Sequence, residues 1–462
     1  MTDDLDVAVA GAGMAGTVAA IAAARNGARV ALTDRATYLG GNATGGLLGN
    51  FLTFHNMRGE QICDGVPQEI VDRCIALGGA FPQHRGHLPN AYGNAYSVTP
   101  IDAEVLKLVV QQMCVEAGVQ LRLGAFTTGP LVSPEGRVEG IKLVDKSGEH
   151  EVRSKVVIDA TGDGDLVAKG GGAFQLGDDK GQTMSMTQIF RLGGVDLDRH
   201  LAHVKQHPDQ FMLAEDPYLG LSREEAAARL QTWQDYPLIT GYYDAVKAAK
   251  AKGEFHPNRE RIVFSITTTP GVVTINATSI LGENAVDAAS LTRASLQARE
   301  QVHAVAAFFQ KYAPGFENSY VLDSAAMLGI RESRRIVGVK TLTDDDCVAG
   351  AKHDDDIGRG AYTLDVHEPS GKIVHKHVED GESYGIPYGC LVPEQLDGLL
   401  VAGRCLSSER YANGSARNQA HIQAMGQAAG TAAALCAQQN QQPRDVDVAQ
   451  LRGVLTDQGA VV

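Results

Sequence analysis

The sequence predicts an α/β fold with a central parallel sheet, into which a second, α+β domain is inserted. Two patterns predict the sheet: an apolar strand, a glycine turn and an alanine-rich helix follow one another at 6–25, and an apolar strand ending in glycine lies at 399–403. Residues 185–195 and 261–280 alternate like strands and are rich in β-branched side chains, which predicts the insertion. Residues 287–316 add one long helix.

The first strand and turn carry the most specific motif of the chain. Residues 6–10 form a short apolar run typical of a strand buried on both faces. The strand is followed by the motif G-x-G-x-x-G, formed by Gly11, Gly13 and Gly16. The first glycine allows the tight turn, the second lets the backbone approach a pyrophosphate, and the third lets the helix pack close to the strand. Asp34 ends the next predicted strand, where a carboxylate can accept the ribose hydroxyls of an adenosine. This unit therefore predicts an adenine dinucleotide site.

The segments that follow extend the same sheet. Glycines at 40, 41, 45, 46 and 49 come directly after Asp34, where an NAD domain would continue into a helix and a third strand. Such an excursion favours FAD, whose ribityl chain and ring continue beyond the pyrophosphate. Residues 97–132 predict a helix that leads into a strand, and 134–161 predict a β-meander.

Five stretches together resemble a known family, the FAD-dependent oxidoreductases with a glutathione-reductase-type FAD fold, which are related to the fumarate reductase flavoproteins. They are GAGMAG with Asp34, YLGGNATGG, VVIDATGDGDLVA (156–168), GIRESRRIVG (329–338), and the segment 387–435 with PYGCLVPEQLDGLLVAGRCLSS, GSAR and MGQAAGTAAAL. The resemblance implies a Rossmann-like FAD-binding domain made of 1–172 and 385–462, and an inserted substrate domain at 173–384.

The resemblance also implies which residues contact FAD. They are Gly11, Gly13, Met14, Ala15, Gly16, Asp34, Arg35, Gly40, Gly41, Asn42, Ala43, Thr44, Ala160, Thr161, Gly162, Gly403, Arg404, Gly426, Gln427 and Ala428. A helix that starts near Gly426 would direct its N–H groups at the pyrimidine edge of the isoalloxazine and stabilise the anionic reduced flavin. Arg404 stands where many two-domain flavoproteins have an aspartate, and is expected at the pyrophosphate or the ring.

A second glycine turn superficially repeats the dinucleotide motif with Gly162, Gly164 and Ala168. Asp163 and Asp165 would repel a pyrophosphate there, so we predict no independent NAD(P)H domain.

Two clusters supply candidate catalytic residues. His55, beside Asn56 and Arg58, follows the glycine-rich segment, and Arg410, Tyr411, Arg417 and His421 precede the C-terminal helix. His421 could act as a general acid or base, or cap a helix; Arg417 could hold a carboxylate, polarise a carbonyl or grip the cofactor phosphates. The segment NQAHIQ, with His421 and Gln423, departs from many family members, which carry a proline and then small or sulfur-containing residues. A different, polar substrate is therefore expected.

Other charged residues predict structural roles. Arg331, Arg334 and Arg335 suggest an interdomain strand or helix held by salt bridges, and His353 and His367 suggest solvated loops rather than a metal site.

Composition limits the partners. The net charge of −14 without a basic block disfavours nucleic acids and anionic membranes. Seven scattered cysteines suggest reduced thiols in a cytoplasmic protein. The uncharged segment 7–24 is better explained as strand, turn and helix than as a membrane span.

The expected function is hydride transfer between flavin N5 and a small polar organic substrate, with a separate electron acceptor or donor. Two alternatives stay open: a flavin monooxygenase or oxidase, and a flavin-binding electron-transfer subunit or sensor that acts with a partner protein. The sequence is compatible with a homo-oligomer.

Overall fold

The computed structural model describes residues 5–90, 94–211, 222–232, 236–368 and 370–462. Its strands are β1 Leu5–Ala10, β2 Val30–Asp34, β3 Asn50–Leu52, β4 Leu88–Pro89, β5 Ser97–Pro100, β6 Gln120–Leu123, β7 Phe126–Val132, β8 Val138–Asp145, β9 Gly148–Asp159, β10 Phe174–Leu176, β11 Phe190–Gly193, β12 Leu238–Gly241, β13 Ile262–Ile266, β14 Val273–Asn276, β15 Tyr320–Ser324, β16 Arg334–Ile336, β17 Asp356–Gly360, β18 Leu364–His367, β19 Ile373–Lys376, β20 Tyr384–Pro387 and β21 Leu399–Val401. Its helices are α1 Met14–Arg25, α2 Val66–Ala76, α3 Ala103–Glu116, α4 Asp165–Lys169, α5 Leu197–Gln206, α6 Arg223–Thr232, α7 Tyr243–Ala251, α8 Ala288–Tyr312, α9 Asp344–Ala349, α10 Arg410–Ala416, α11 Gln419–Gln439 and α12 Val448–Asp457.

The largest sheet of the described residues has the order β6-β2-β1-β9-β8-β7, with β21 also paired to β9. The strands β6, β2, β1, β9 and β21 run parallel, which confirms the predicted central parallel sheet. The long strand β9 also pairs antiparallel with β8, and β8 with β7, so the predicted meander is present.

Helices α1 and α11 both pack on this sheet and against each other, and small residues at their contact let the two backbones approach closely. A Cβ added to Gly426 would lie 2.3 Å from the Ala15 carbonyl oxygen, and one added to Gly430 would lie 2.1 Å from that of Ala19. Segment 7–24 is thus β1, a turn and most of α1, as the sequence predicts. No helix in the described ranges has the length and apolarity needed to cross a membrane.

The inserted region forms a second sheet, ordered β12-β13-β14-β11-β15 as far as the described residues show. Helix α8 packs beside it, and the Asp287 side chain caps its start by accepting from the Ser290 N–H. Strands β11, β13 and β14 and helix α8 lie inside the stretches that the sequence assigns to strands and to the long helix.

Two hydrophobic cores underlie the two sheets. One contains buried side chains from 5–167 and again from 336–455, and the other contains side chains from 190–316. The chain therefore packs with the first core from about residue 336 onward, earlier than the predicted boundary at 385. Strand β16 marks this return by pairing with β10.

Candidate functional site

The turn after β1 leaves open space at one of its three glycines. Gly11 has a φ of +98°, and a Cβ there would lie 2.4 Å from the Ala160 carbonyl oxygen. A Cβ on Gly16 would lie 1.9 Å from the Gly11 carbonyl oxygen, so both glycines serve close packing. A Cβ on Gly13 would have no protein atom within 4 Å. The open volume at Gly13 is therefore the space that a ligand would fill.

The start of α1 faces this volume. Gly13 is its N-cap and supplies no side-chain acceptor, and Met14 and Ala15 line the cavity. The first N–H groups of a helix lack partners within the helix, and together with its dipole they favour phosphate oxygens. The glycine-rich segment closes the turn from the other side: Gly40 N donates to Ala12 O at 2.8 Å, and a Cβ on Gly41 would lie 2.8 Å from Gly13 Cα.

Asp34 lies at the edge of the same cavity. Its carboxylate accepts from Ala12 N at 2.6 Å and from Ala36 N at 2.7 Å. Because a carboxylate has about four acceptor positions, it can still accept from two ribose hydroxyls. Phe126 and Thr127 line the cavity with Asp34 and offer an aromatic face and a hydroxyl.

The turn after β9 is built on a buried carboxylate. Asp159 accepts from Thr161 N and Oγ1, Leu166 N and Val167 N at 2.7 to 3.2 Å. Burial raises the pKa of Asp159, whereas the hydrogen bonds from Thr161 and Val167 act in the opposite direction. The hydrogen bonds to Asp159 hold the turn after β9 in place beside the open space at Gly13.

The two acids of that turn are neutralised by arginines. Arg404 forms an ion pair with Asp163, and Arg334 pairs with Asp165 at 2.9 Å. The sequence predicts that segment 329–338 is held by salt bridges, and Arg334, on β16, forms one of them with Asp165. Arg404 lines the cavity, and its Nε has no hydrogen-bond partner among the described residues.

These segments enclose a first cavity of about 450 Å³ at the carboxyl ends of β1, β2, β9 and β21, where open α/β sheets bind ligands. Fourteen predicted cofactor contacts line it: Gly11, Gly13, Met14, Ala15, Asp34, Arg35, Gly40, Gly41, Asn42, Ala160, Thr161, Gly162, Gly403 and Arg404. Gly16, Ala43, Thr44, Gly426, Gln427 and Ala428 are not among its lining residues.

The C-terminal helix meets the cavity with a different segment from the one predicted. Helix α11 begins at Gln419, not near Gly426, so Gly426 lies two turns inside and packs on Ala15. Gln427 accepts from Val66 N at 3.0 Å instead. Gln419 and Ile422 line the first cavity, and the N-cap Asn418 makes no side-chain capping bond. The helix N-terminus does face the site, but through residues 418–422.

A second cavity, of about 930 Å³, adjoins the first, and both volumes are typical of ligand sites. The two cavities share five lining residues: Asn42, Leu48, Ile330, Arg417 and Gln419. The second is rich in charged and imidazole side chains: Arg259, Glu260, Arg261, Arg331, Asp365, His367, Lys372, His375, His377 and Arg417.

Among the described residues, four arginines line the second cavity: Arg259, Arg261, Arg331 and Arg417. Arg259 and Arg331 are 8% and 9% exposed, and Arg331 Nη1 donates to Ser185 O at 2.8 Å. Burial, reinforced by the charges of Arg259 and Arg417, holds the pKa of Arg331 well below its usual value. Burial lowers the pKa of Arg259 to about 10. Nε of Arg259 and Nε of Arg417 lack hydrogen-bond partners among the described residues. Buried like charges of this kind are stabilised by a bound anion.

One carboxylate faces these arginines and holds two histidines. Asp365 Oδ1 lies 3.0 Å from His375 Nε2, and Asp365 Oδ2 lies 3.3 Å from His367 Nε2. Burial raises the pKa of Asp365, but its interactions with the two imidazoles outweigh this and hold the pKa well below its usual value. His367 is therefore not on a solvated loop, as the sequence suggested; it is a buried residue of β18 that lines the cavity.

A family model described as FAD dependent oxidoreductase matches residues 6–455. The chain belongs to this family. FAD fits the first cavity, because Gly13 leaves the pyrophosphate space open and Asp34 retains acceptor positions for a ribose.

Named relatives of this FAD-dependent oxidoreductase match parts of it. It is 30% identical over 221 residues to digeranylgeranylglycerophospholipid reductase 2 of Methanopyrus kandleri, which covers 43% of this chain and 48% of that protein. It is 30% identical over 174 residues to thiamine thiazole synthase of Pyrococcus abyssi, covering 36% and 60%. The chain spans about half the length of the curated relatives it matches.

Solved structures of similar proteins extend over nearly the whole chain at low identity. A geranylgeranyl bacteriochlorophyll reductase-like protein of Thermoplasma acidophilum has a TM-score of 0.48 at 14% identity, covering 99% of this chain and 84% of that one. A flavin-dependent brominase has a TM-score of 0.44 at 13% identity, covering 98% and 83%.

The FAD-dependent oxidoreductase brings Arg417 to the junction of its cavities but keeps His421 away from both. His421 is fully buried, its Nδ1 lies 3.1 Å from Ser415 O, and its Nε2 accepts from Ala361 N at 3.3 Å. Burial lowers the pKa of His421 to about 4. A neutral imidazole held by two backbone groups fits a structural role, not proton exchange with a substrate.

We expect His421 to make the protein less stable in acid. Its pKa is about 4 when folded and about 6.5 when unfolded, so below pH 6.5 the unfolded chain binds a proton that the folded chain does not. This contribution is complete above about pH 6.5 and is lost as the pH falls toward 4, by about 1.4 kcal/mol per pH unit. In denaturant titrations at pH 7, 6 and 5, His421→Gln should weaken the pH dependence of the unfolding free energy.

The matched control is His150→Gln, which removes a half-exposed histidine paired with Asp145 at 3.0 Å. An unchanged pH dependence in His421→Gln would contradict the assignment.

The other predicted catalytic residues lie in ion pairs and hydrogen bonds away from the two cavities. Arg410 bonds to Glu332 at 3.1 Å and to Glu368 at 3.0 Å, and Tyr411 donates to Glu368 at 2.9 Å. Glu332 has no exposed side-chain surface and also pairs with Arg335 at 2.5 Å. His55 lies 3.1 Å from Ser97 Oγ, outside the lining of either cavity. The ion pairs and hydrogen bonds of Glu332 and Glu368 therefore link the segments 332–335, 368 and 410–411, which indicates a structural role for Arg410 and Tyr411.

We expect Glu332→Gln to lower the unfolding free energy by about 3–5 kcal/mol, because it leaves the buried Arg335 without its carboxylate partner and Arg410 with Glu368 alone. Glu104→Gln removes the exposed Lys107 pair of 2.7 Å and should cost at most about 1 kcal/mol. Equal effects of the two substitutions in urea unfolding would contradict the role given to Glu332.

Sequence reasoning missed most of the second cavity. Arg259, Asp365 and His375 stand in three strand or loop segments without a local motif. The alternation DVH in β18 and HKH after it, with histidines two residues apart, was the one signal that these side chains share a face.

Proposed function

We propose that this protein is an FAD-dependent dehydrogenase or reductase whose substrate is a small polar organic molecule with a carboxylate, bound in the second cavity. We also propose the glutathione-reductase-type arrangement and the relation to fumarate reductase flavoproteins that the sequence suggests. The electron acceptor or donor is a separate molecule. When bound, FAD supplies two-electron chemistry with transfer of one substrate hydrogen.

A single observation supports this proposal most strongly. Arg417 lines both cavities, and its Nη2 donates to the Asp365 carbonyl oxygen at 3.1 Å and lies 3.7 Å from the Asp365 carboxylate. The guanidinium is thus held in place, and 18% of the side-chain surface stays exposed at the cavities. A carboxylate bound to it would lie where the cofactor and substrate spaces meet, as hydrogen transfer between the two requires.

The neighbouring arginines extend this anion site. Arg331 and Arg259 are fixed by backbone carbonyls of Ser185 and Thr278, so their positions do not depend on a ligand. Guanidinium groups bind carboxylates through paired hydrogen bonds. They would orient the substrate, and its binding would exclude water from the junction at Arg417.

The polarity of the second cavity argues against a lipid substrate. A relative is named for a digeranylgeranylglycerophospholipid, whose hydrocarbon chains need an apolar site. Here four arginines, three histidines and two acids of the described residues line the space beside apolar side chains such as Leu48 and Ile330, and desolvating the charged groups against hydrocarbon would be unfavourable. We infer that this chain uses the family's cofactor fold on a different class of substrate.

The test is an anaerobic screen of the purified holoprotein with hydroxy acids and keto acids, each paired with its neutral amide. We expect at least one hydroxy acid to bleach the oxidised flavin, or one keto acid to reoxidise the reduced flavin, while the amide reacts at least tenfold more slowly, since it lacks one charge-assisted interaction. Equal rates for acid and amide would contradict the proposal. Reaction of reduced flavin with O₂ alone, or with a partner protein alone, would favour the two alternatives.

A further inference from the structure

The second cavity contains a carboxylate–imidazole pair outside every motif of the sequence. Asp365 on β18 and His375 on β19 are direct register partners, and Asp365 Oδ1 lies 3.0 Å from His375 Nε2. Cross-strand partners are held at close range by the ladder itself, so the pair is rigid. His375 and Asp365 both line the cavity.

His367 holds the other oxygen of the same carboxylate. Its Nε2 lies 3.3 Å from Asp365 Oδ2, and its Nδ1 lies 3.5 Å from Arg259 Nη1. Because a guanidinium can only donate, His367 Nδ1 is the acceptor and Nε2 carries the proton that bonds to Asp365. Burial, reinforced by Arg331 and Arg259, lowers the pKa of His367 to about 3 against the attraction of Asp365, so His367 stays neutral. It orients Asp365 and does not exchange protons.

His375 differs from His367 at its second ring nitrogen. With Asp365 ionised, His375 Nε2 is the donor of their hydrogen bond, which leaves the lone pair of the neutral ring on Nδ1. That atom has no hydrogen-bond partner among the described residues. The other titratable and charged side chains that line the same cavity are Asp365 and His367 on β18, His377 beyond β19, and Arg259, Arg261, Arg331, Arg417, Lys372 and Glu260.

We propose that His375 is the acid–base residue of this site and that Asp365 and His367 are its positioning residues. The proposal rests on the proposed function for its substrate. In the oxidation of an alcohol, the C–H bond breaks and its hydrogen leaves with both electrons to the bound FAD, while the O–H bond breaks and its proton goes to His375 Nδ1. A ketone forms, and reduction of the ketone returns the same proton. Asp365 fixes the tautomer and stabilises the imidazolium.

The first test needs no substrate. In the holoprotein labelled with ¹⁵N-histidine, long-range ¹H–¹⁵N spectra identify the tautomer of each imidazole, and His375→Gln and His367→Gln assign the signals. We expect neutral His375 and His367 both to carry the proton on Nε2, and His367 to remain neutral from pH 8 to 5. A proton on Nδ1 of neutral His375 would overturn the proposal.

The second test uses the hydroxy acid that reduces the flavin fastest in the screen. We expect His375→Ala to slow flavin reduction by about 100-fold or more, with the affinity for that acid changed less than about threefold, and added imidazole to restore part of the rate. The control His150→Ala removes another histidine paired with an aspartate at 3.0 Å and should reduce at the wild-type rate. Wild-type reduction in His375→Ala would overturn the inference. If no acid reduces the wild-type flavin, the proposed function fails and the tautomers alone decide the inference.

Discussion

The Gly13→Val variant should fold normally and be colourless. A side chain at Gly13 meets no protein atom within 4 Å, and the backbone there is extended, with φ −61° and ψ 174°. Valine is therefore compatible with the folded chain but fills the space in front of the α1 N-terminus where the pyrophosphate would bind. We expect the flavin content after purification to fall to near zero, with the circular dichroism spectrum of the folded protein retained.

Two other glycines provide the controls for this experiment. Gly453→Val also meets nothing within 4 Å, but it lies on α12 away from the cavity, and this variant should remain yellow. Gly11→Val places its side chain against the Ala160 carbonyl at a φ of +98°, so it should damage the fold itself. A yellow Gly13→Val protein would contradict the assigned cofactor turn.

The Arg417→Gln variant should keep its flavin and lose affinity for the carboxylate substrate. Removing a charge-assisted hydrogen bond costs about 1.5–3 kcal/mol, which corresponds to about 10- to 100-fold in Kd. We expect the loss to appear in titrations of the flavin absorbance with the best acid of the screen. The amide of that acid should bind wild type and variant within about threefold of each other, since it carries no charge for Arg417 to hold.

The matched control is Arg153→Gln, an arginine that is 65% exposed and pairs with Glu139 and Glu151 at 3.5 and 3.6 Å on the protein surface. It should bind the acid as wild type does. If Arg417→Gln bound the acid with unchanged affinity, or lost its flavin, then Arg417 would serve the cofactor phosphates or the fold instead.

The local part of the cofactor site could be predicted from the sequence because it lies in contiguous segments. Gly11, Gly13 and Asp34 are joined by β1, α1 and β2, so their spacing fixes their arrangement. The apolar run at 399–403 likewise predicts the strand β21, which joins the sheet beside β9. By contrast, the core contribution of 336–384 depends on packing between distant segments, which no local pattern displays.

His421 shows where sequence position was misleading. A helix that starts near Gly426 would place His421 just before its N-terminus, within reach of the edge of the flavin ring. The helix starts at Gln419 after Asn418, and the glycines serve contact with α1 instead. Asparagine is a favoured N-cap residue, so the correct start had a signal in the sequence.

The second cavity could not be assembled from sequence because its charges come from five parts of the chain. Arg259, Arg331 and Arg417 have no common spacing, and only the folded chain brings them to one carboxylate, Asp365. Arg417 lines both cavities because it lies two residues before α11, between α10 and α11, whereas Arg410 and Tyr411 lie on α10 and bond to Glu368.

A crystal structure of the holoprotein with its best acid is the most direct measurement of the central claim. We predict FAD along the Gly13 turn and Asp34, with the acid in the second cavity, its carboxylate on Arg417 and its reacting carbon beside the flavin ring. A ligand bound elsewhere on the protein, or a flavin ring that does not reach the residues shared by the two cavities, would contradict the account.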